Sequence, residues 1–133
     1  MIRFTTLLAL TVAACSDAFA PTTESVAGDY RLQWLISVNG GHGINWGPRG
    51  ATLNISLAPN GTTSGRLFIP GSDEDGSDFD VDMAGTWTLT GDTVRFSQTA
   101  DSFVRDMAWI AGENVLSGDH TLGDDRVVAA VMK

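Results

Sequence analysis

From residue 28 onward the dominant period of the apolar side chains is two, and this constrains the fold more than any other feature. Tyr30, Leu32, Trp34, Ile36 and Val38 alternate with Asp29, Arg31, Gln33, Leu35 and Ser37. The same alternation runs through Leu53, Ile55 and Leu57, through Phe79, Val81, Met83, Gly85, Trp87 and Leu89, and through Val94 and Phe96. Each such run is a strand with one dry face and one wet face. Pro59-Asn60-Gly61, Thr90-Gly91-Asp92, Ala111-Gly112-Glu113-Asn114 and Leu122-Gly123-Asp124-Asp125 fall between the runs, where Gly and Asn tolerate the backbone of tight reversals. Eight strands are predicted, at residues 28–38, 51–58, 62–69, 79–89, 93–97, 103–110, 115–121 and 126–132. No helical crossover fits between any two of them, so the sheet is expected to be antiparallel with neighbours in chain order. Eight such strands resolve their unpaired edges most simply by closing into a barrel, and the expected class is all-β, a single up-and-down eight-stranded β-barrel. A two-sheet sandwich is the alternative, because it shows the same alternation.

The 133 residues suit one domain, and 43% hydrophobic content is enough for a modest core. With 16 acidic side chains against 8 basic ones, the net charge is -8, and no basic patch forms. That balance opposes contact with a phosphate backbone, so nucleic acid is excluded as a partner. One cysteine, Cys15, cannot make an internal disulfide.

The N-terminus has a different character. Arg3 is the only charged side chain among residues 1–14, and an apolar run from Phe4 to Ala14 follows it, too short to span a bilayer but suited to an export signal. A conventional cleavage site at Ala18-Phe19-Ala20 is followed by Pro21, which hinders cutting there. Val12-Ala13-Ala14-Cys15 resembles the lipobox of bacterial lipoproteins. The resemblance implies a signal peptide at residues 1–14, a diacylglyceryl group on Cys15, and residues 15–27 as lipidated cysteine and flexible tether. Ser16 after the cysteine implies sorting to the outer membrane, with the domain, residues 28–133, facing the periplasm.

Gly28-Asp29-Tyr30-Arg31-Leu32 resembles the Gly-x-Trp opening of lipocalins, with Tyr in the Trp place. The Asn-Gly turn at Val38-Asn39-Gly40, and Ala84-Gly85-Thr86-Trp87-Thr88-Leu89 feeding Thr90-Gly91-Asp92, are similar to small bacterial lipocalin-like lipoproteins. The resemblance spans residues 28–133. It implies a lipocalin-like barrel that binds a small apolar ligand, with an Arg near the last strand packing across the opening aromatic; Arg126 is expected there, opposite Tyr30.

The residues also suggest where such a ligand would sit. Tyr30, Trp34, Trp87 and Trp109 are expected to point inward and line the interior. The glycine-rich segment 39–50 is expected to lie across one mouth, where Trp46 and Arg49 offer a stacking plane and a cation. The same aromatics could instead fill a dry core, and Trp46 could fold back as a plug. No catalytic constellation is present: His42 and His120 lack a nucleophile elbow, and no phosphate loop or dinucleotide fingerprint occurs. The acidic stretch 73–82 lacks the Gly and Glu spacing of a calcium loop, and reads as a solvated face. Neither metal nor cofactor is expected. Two partners other than the membrane remain, a small apolar ligand and a protein of the cell envelope, the latter recognised by a non-catalytic module such as an assembly factor or inhibitor-like barrel.

Overall fold

The computed structural model describes residues 18–133; the signal segment, Cys15 and Ser16 lie outside them. The chain forms a closed antiparallel eight-stranded β-barrel. Its elements run α1 (Thr23–Val26), β1 (Gly28–Asn39), β2 (His42–Asn45), a 3₁₀ turn (Gly47–Arg49), β3 (Thr52–Leu57), β4 (Thr62–Ile69), β5 (Phe79–Asp82), β6 (Gly85–Thr90), β7 (Thr93–Gln98), α2 (Phe103–Asp106), β8 (Trp109–Gly112), β9 (Val115–Leu122) and β10 (Asp125–Met132). Neighbours in the chain are neighbours in the wall, and β10 pairs with β1 from Arg31↔Met132 to Asn39↔Asp125, which closes the ring and excludes the sandwich. β5 and β6 occupy one wall position in succession, interrupted at Met83 and Ala84, so the predicted strand 79–89 is a broken one.

The inward faces of these strands fill the barrel. Leu53, Ile55, Leu67, Met83, Trp87, Val94, Phe96, Trp109, Leu116, Ala129 and Val131 are all buried in one cluster. Two short segments close the ends. At the mouth where β1 begins, α1 presses Val26 into the core, and the Tyr30 hydroxyl donates to the Val26 carbonyl at 2.6 Å. Residues 23–26 are therefore helical and docked, contrary to the expected flexible tether. Thr22 and Ser25 form a reciprocal capping pair that fixes this turn.

At the opposite mouth the β7–β8 connection, residues 99–108, turns inward. Phe103–Asp106 is a helix rather than the predicted strand, and β8 shrinks to four residues. Phe103, Val104 and Met107 follow helical spacing and face the core together, and Val104 and Met107 are completely buried. Met107 packs where a side chain at Gly118 of β9 would otherwise stand: a Cβ there would lie 1.9 Å from its Sδ. Glycine at 118 makes room for the plug.

The first strand holds the largest departure from the alternation. Leu32 pairs with Val131 and Trp34 with Ala130, so Gln33 is an extra residue, a β-bulge. Because side chains alternate, one surplus residue reverses every position after it. Tyr30 and Leu32 face inward as expected, but Leu35 and Ser37 replace Trp34, Ile36 and Val38 on the inner face. Trp34 is 43% exposed on the outer wall. The segment expected to form a loop, 39–50, contributes β2, which pairs with the outer half of β1 through a Gly40-Gly41 reversal with positive φ at both glycines.

Candidate functional site

The structure separates the residues that the sequence grouped as a ligand site. Tyr30, Trp87 and Trp109 do point inward, and each is sealed by a bond to nearby backbone. Trp87 Nε1 donates to the Ala58 carbonyl at 2.8 Å, and Trp109 Nε1 to the Val104 carbonyl at 3.1 Å. Phe96 meets Trp109 edge to face at 6.3 Å between ring centroids. Burial pushes the Tyr30 phenol up to about 12, because a phenolate there would be stripped of water. The three aromatics are core.

Arg126 does not reach Tyr30. It lies at the other end of β10, opposite Val38, and clasps Asp119 on the outer wall; this pairing holds the Asp119 carboxyl below its ordinary range. Lys133 takes the expected position, with its Nζ 5.5 Å above the Tyr30 ring and bonded to the Ser25 carbonyl. Antiparallel pairing explains the exchange: the start of β1 can meet only the end of β10.

Trp46 spans the mouth opposite α1. Its indole N–H donates to Ser37 Oγ at 2.8 Å, its backbone N–H bonds to Leu35, and the Arg49 guanidinium sits 5.8 Å above the ring. Trp46 is half-buried against the core cluster, so it acts as a stopper. The acidic segment turns its oxygens on itself. Asp78 accepts from the Gly71 N–H at 2.9 Å, Asp75 from Ser77, and Asp80 from Arg66 at 2.6 Å.

Open space lies away from these aromatics instead. A groove of about 390 Å³ is lined by Ala108, Ile110, Ser117, Gly118, Asp119 and Val128. Another, of about 380 Å³, borders the free edge of β5 at Val81, Asp82, Ala84, Thr99 and Ala100. Neither is lined by Tyr30, Trp87 or Trp109. The first groove flanks an outer row set by the strand register, Trp34 on β1, Ala130 on β10, Ser117 on β9 and Ile110 on β8. Trp34 and Ile110 are 43% and 46% exposed, and small residues lie between them. Ile36, Val38 and Val128 extend the apolar surface. Sequence reasoning missed this row because it placed Trp34 inside.

The fold and the face together define a small closed barrel with a filled interior and an apolar stripe on its outside. Comparison with family models, curated proteins and solved structures finds no match for this chain.

Proposed function

We propose that this chain is an exported, lipid-anchored module of the cell envelope, a lipocalin-like barrel that binds a protein rather than catalysing a reaction. The observation that carries the reading is the outward row of Trp34 and Ile110 on a barrel whose interior is packed. Exposed aromatic and aliphatic side chains grouped around small residues are the composition of a protein contact, and Trp is the residue most often dominant in one. Attachment through Cys15 rests on the lipobox resemblance and puts the domain in the periplasm on the outer membrane.

A second reading, an apolar ligand held among Tyr30, Trp87 and Trp109, is favoured by the short β8. Beside β8 the mouth is covered by residues 99–108 without strand pairing to the end of β9, and a ligand would enter by displacing Met107.

Photo-crosslinking in cells separates the two. With benzoylphenylalanine at Trp34, a discrete adduct with one envelope protein is expected, and none with the same group at Asp80. Saturable quenching of tryptophan emission by fatty-acid probes, without an adduct, would reverse the order of the readings. Palmitate labelling that persists in Cys15→Ala would remove the anchor from the proposal.

A further inference from the structure

The barrel wall is incomplete on one side. Pairing between β8 and β9 stops at Trp109↔Gly118, whereas β9 continues to Leu122 and pairs with β10 all the way to Leu122↔Asp125. Residues 119–122 thus have a strand on one side only. The two-residue reversal between Leu122 and Asp125 makes them a hydrogen-bonded pair, and along an antiparallel ladder such pairs alternate. The backbone groups of Leu122 and His120 therefore turn to β10, and those of Asp119 and Thr121 turn outward to the missing neighbour. Among the described residues no backbone bond joins 119–122 to the connection at 99–108. Asp119 and Thr121 are both exposed, and no strand other than β10 pairs with this stretch.

An open edge of this kind is ordinarily blunted by charge, proline or a covering loop. Here charge lines the rim, but no proline lies in residues 119–122 and apolar surface borders them. Leu122 is 71% exposed, the most exposed large apolar side chain of the domain, and the groove of about 390 Å³ begins at Asp119 and runs to Ile110.

Resting on the reading of the chain as a protein-binding module, we infer that residues 119–122 of β9 accept an added strand: an extended segment of a partner protein, with apolar and basic side chains alternating. Main-chain bonds to Asp119 and Thr121 supply the pairing, and the groove receives the apolar side chains. The charge around the edge selects the basic ones. Asp119, Asp124 and Asp125 lie on its own side and Asp101 and Asp106 on the connection across the gap, five carboxylates against the two guanidiniums of Arg105 and Arg126. The same excess disfavours a second copy, since edge-to-edge pairing would bring two acidic rims together.

The test uses the full chain, ¹⁵N-labelled and held in lipid nanodiscs, with two ten-residue peptides, one alternating Lys and Val and one alternating Glu and Val. The Lys peptide is expected to shift the amides of Asp119 and Thr121 together with those of Ile110 and Ser117, and to slow exchange of the first two at least tenfold. The Glu peptide is expected to bind at least tenfold more weakly. Thr121→Pro removes one edge N–H without touching the β10 ladder and should cut binding of the Lys peptide at least tenfold. Asp124→Lys, an exposed turn substitution, should weaken it about threefold. Shifts centred elsewhere, binding unchanged in Thr121→Pro, or self-association of the chain through this edge would overturn the inference. It fails separately from the reading beneath it: a crosslink from Trp34 but none from benzoylphenylalanine at Leu122 discards the edge and keeps the module, and no crosslink from either discards both.

Discussion

Replacing Gly118 by alanine tests the packing that makes the interior a core. The added methyl would lie 1.9 Å from Met107 Sδ and 2.6 Å from its Cγ, while the next contact, the Ala108 carbonyl, is an ordinary 3.5 Å away. Met107 must therefore move, and it is completely buried. If it shifts within the core, the overpacking costs about 1–3 kcal/mol. If it is expelled, the lost burial costs roughly 1.5–3 kcal/mol, and a vacated volume of roughly 80 Å³ adds about 2 kcal/mol at 24 cal/mol per Å³. Against either stands a gain of roughly 0.4–1 kcal/mol, since alanine restricts the unfolded chain more than glycine does. The net expectation is a loss of about 0–2.6 kcal/mol if Met107 shifts and about 2.5–4.6 kcal/mol if it is expelled, the latter roughly 10–18 °C in Tm for a domain of this size. Urea and thermal unfolding followed by tryptophan emission would measure it. The decisive variant is the pair: in a Met107→Ala background the new methyl fills space instead of competing for it, so Gly118→Ala should there be neutral or stabilising, with a coupling of at least about 1 kcal/mol. A Gly118→Ala chain clearly more stable than the parent, or a pair whose costs simply add, would refute the plug.

Three further outcomes follow from the same contacts. Trp109→Ala should cost about 3–5 kcal/mol in urea unfolding, whereas Trp34→Ala, on the outer wall, should cost less than about 1 kcal/mol; comparable losses would contradict the reversed phase of β1. Tyr30→Phe orphans the Val26 carbonyl and should cost about 1–2 kcal/mol, with faster amide exchange at Val26 and Ala27 as α1 frays; unchanged exchange there would mean that the hydroxyl does not hold the helix. Tyr30 also sets an alkaline limit: its folded pKa is raised from 10.0 to about 12, so its stabilising effect is complete below pH 10 and is lost as the pH rises through about 12. A Tyr30→Phe chain should lack that part of the decline, which parallel unfolding curves at pH 9 and 11.5 would reveal.

Much of the barrel is legible in the sequence because β3, β6 and β7 alternate cleanly and Gly or Asn marks the turns around them, while β4, β9 and β10, whose apolar residues run together, are set off by the Gly- and Asn-bearing turns beside them. β1 is legible only up to Leu32. Its bulge leaves no mark, since Leu35 in the polar register reads as a lone exception while Trp34, Ile36 and Val38 continue the apparent apolar face. The helix at Phe103 was open to recognition: residues 103, 104 and 107 have the spacing of one helical face, but a dense apolar run also fits a buried strand, and so short a segment does not decide between them. The glycine at 118 is another sign that could have been used, because glycine inside a strand marks a close approach. Lys133 over Tyr30 follows from counting once closure is accepted. Of the expected ligand wall, the inward direction of Tyr30, Trp87 and Trp109 was readable from alternation, but the bonds and neighbours that seal them depend on contacts distant in the chain.

Gln33 makes the first strand a two-frame message. Before it, even positions face inward and odd ones outward; after it, the assignment is exchanged. Deleting that single residue would send Trp34, Ile36 and Val38 into an interior that has no volume for an indole, and would turn Leu35 to the solvent. The hairpin tip at Gly40-Gly41 and the acidic loop at 70–78 can gain or lose residues without moving any wall residue to the other side. The domain thus tolerates length changes at its rims but none between Tyr30 and Leu35, where one residue decides whether the molecule offers its tryptophan to a partner or to itself.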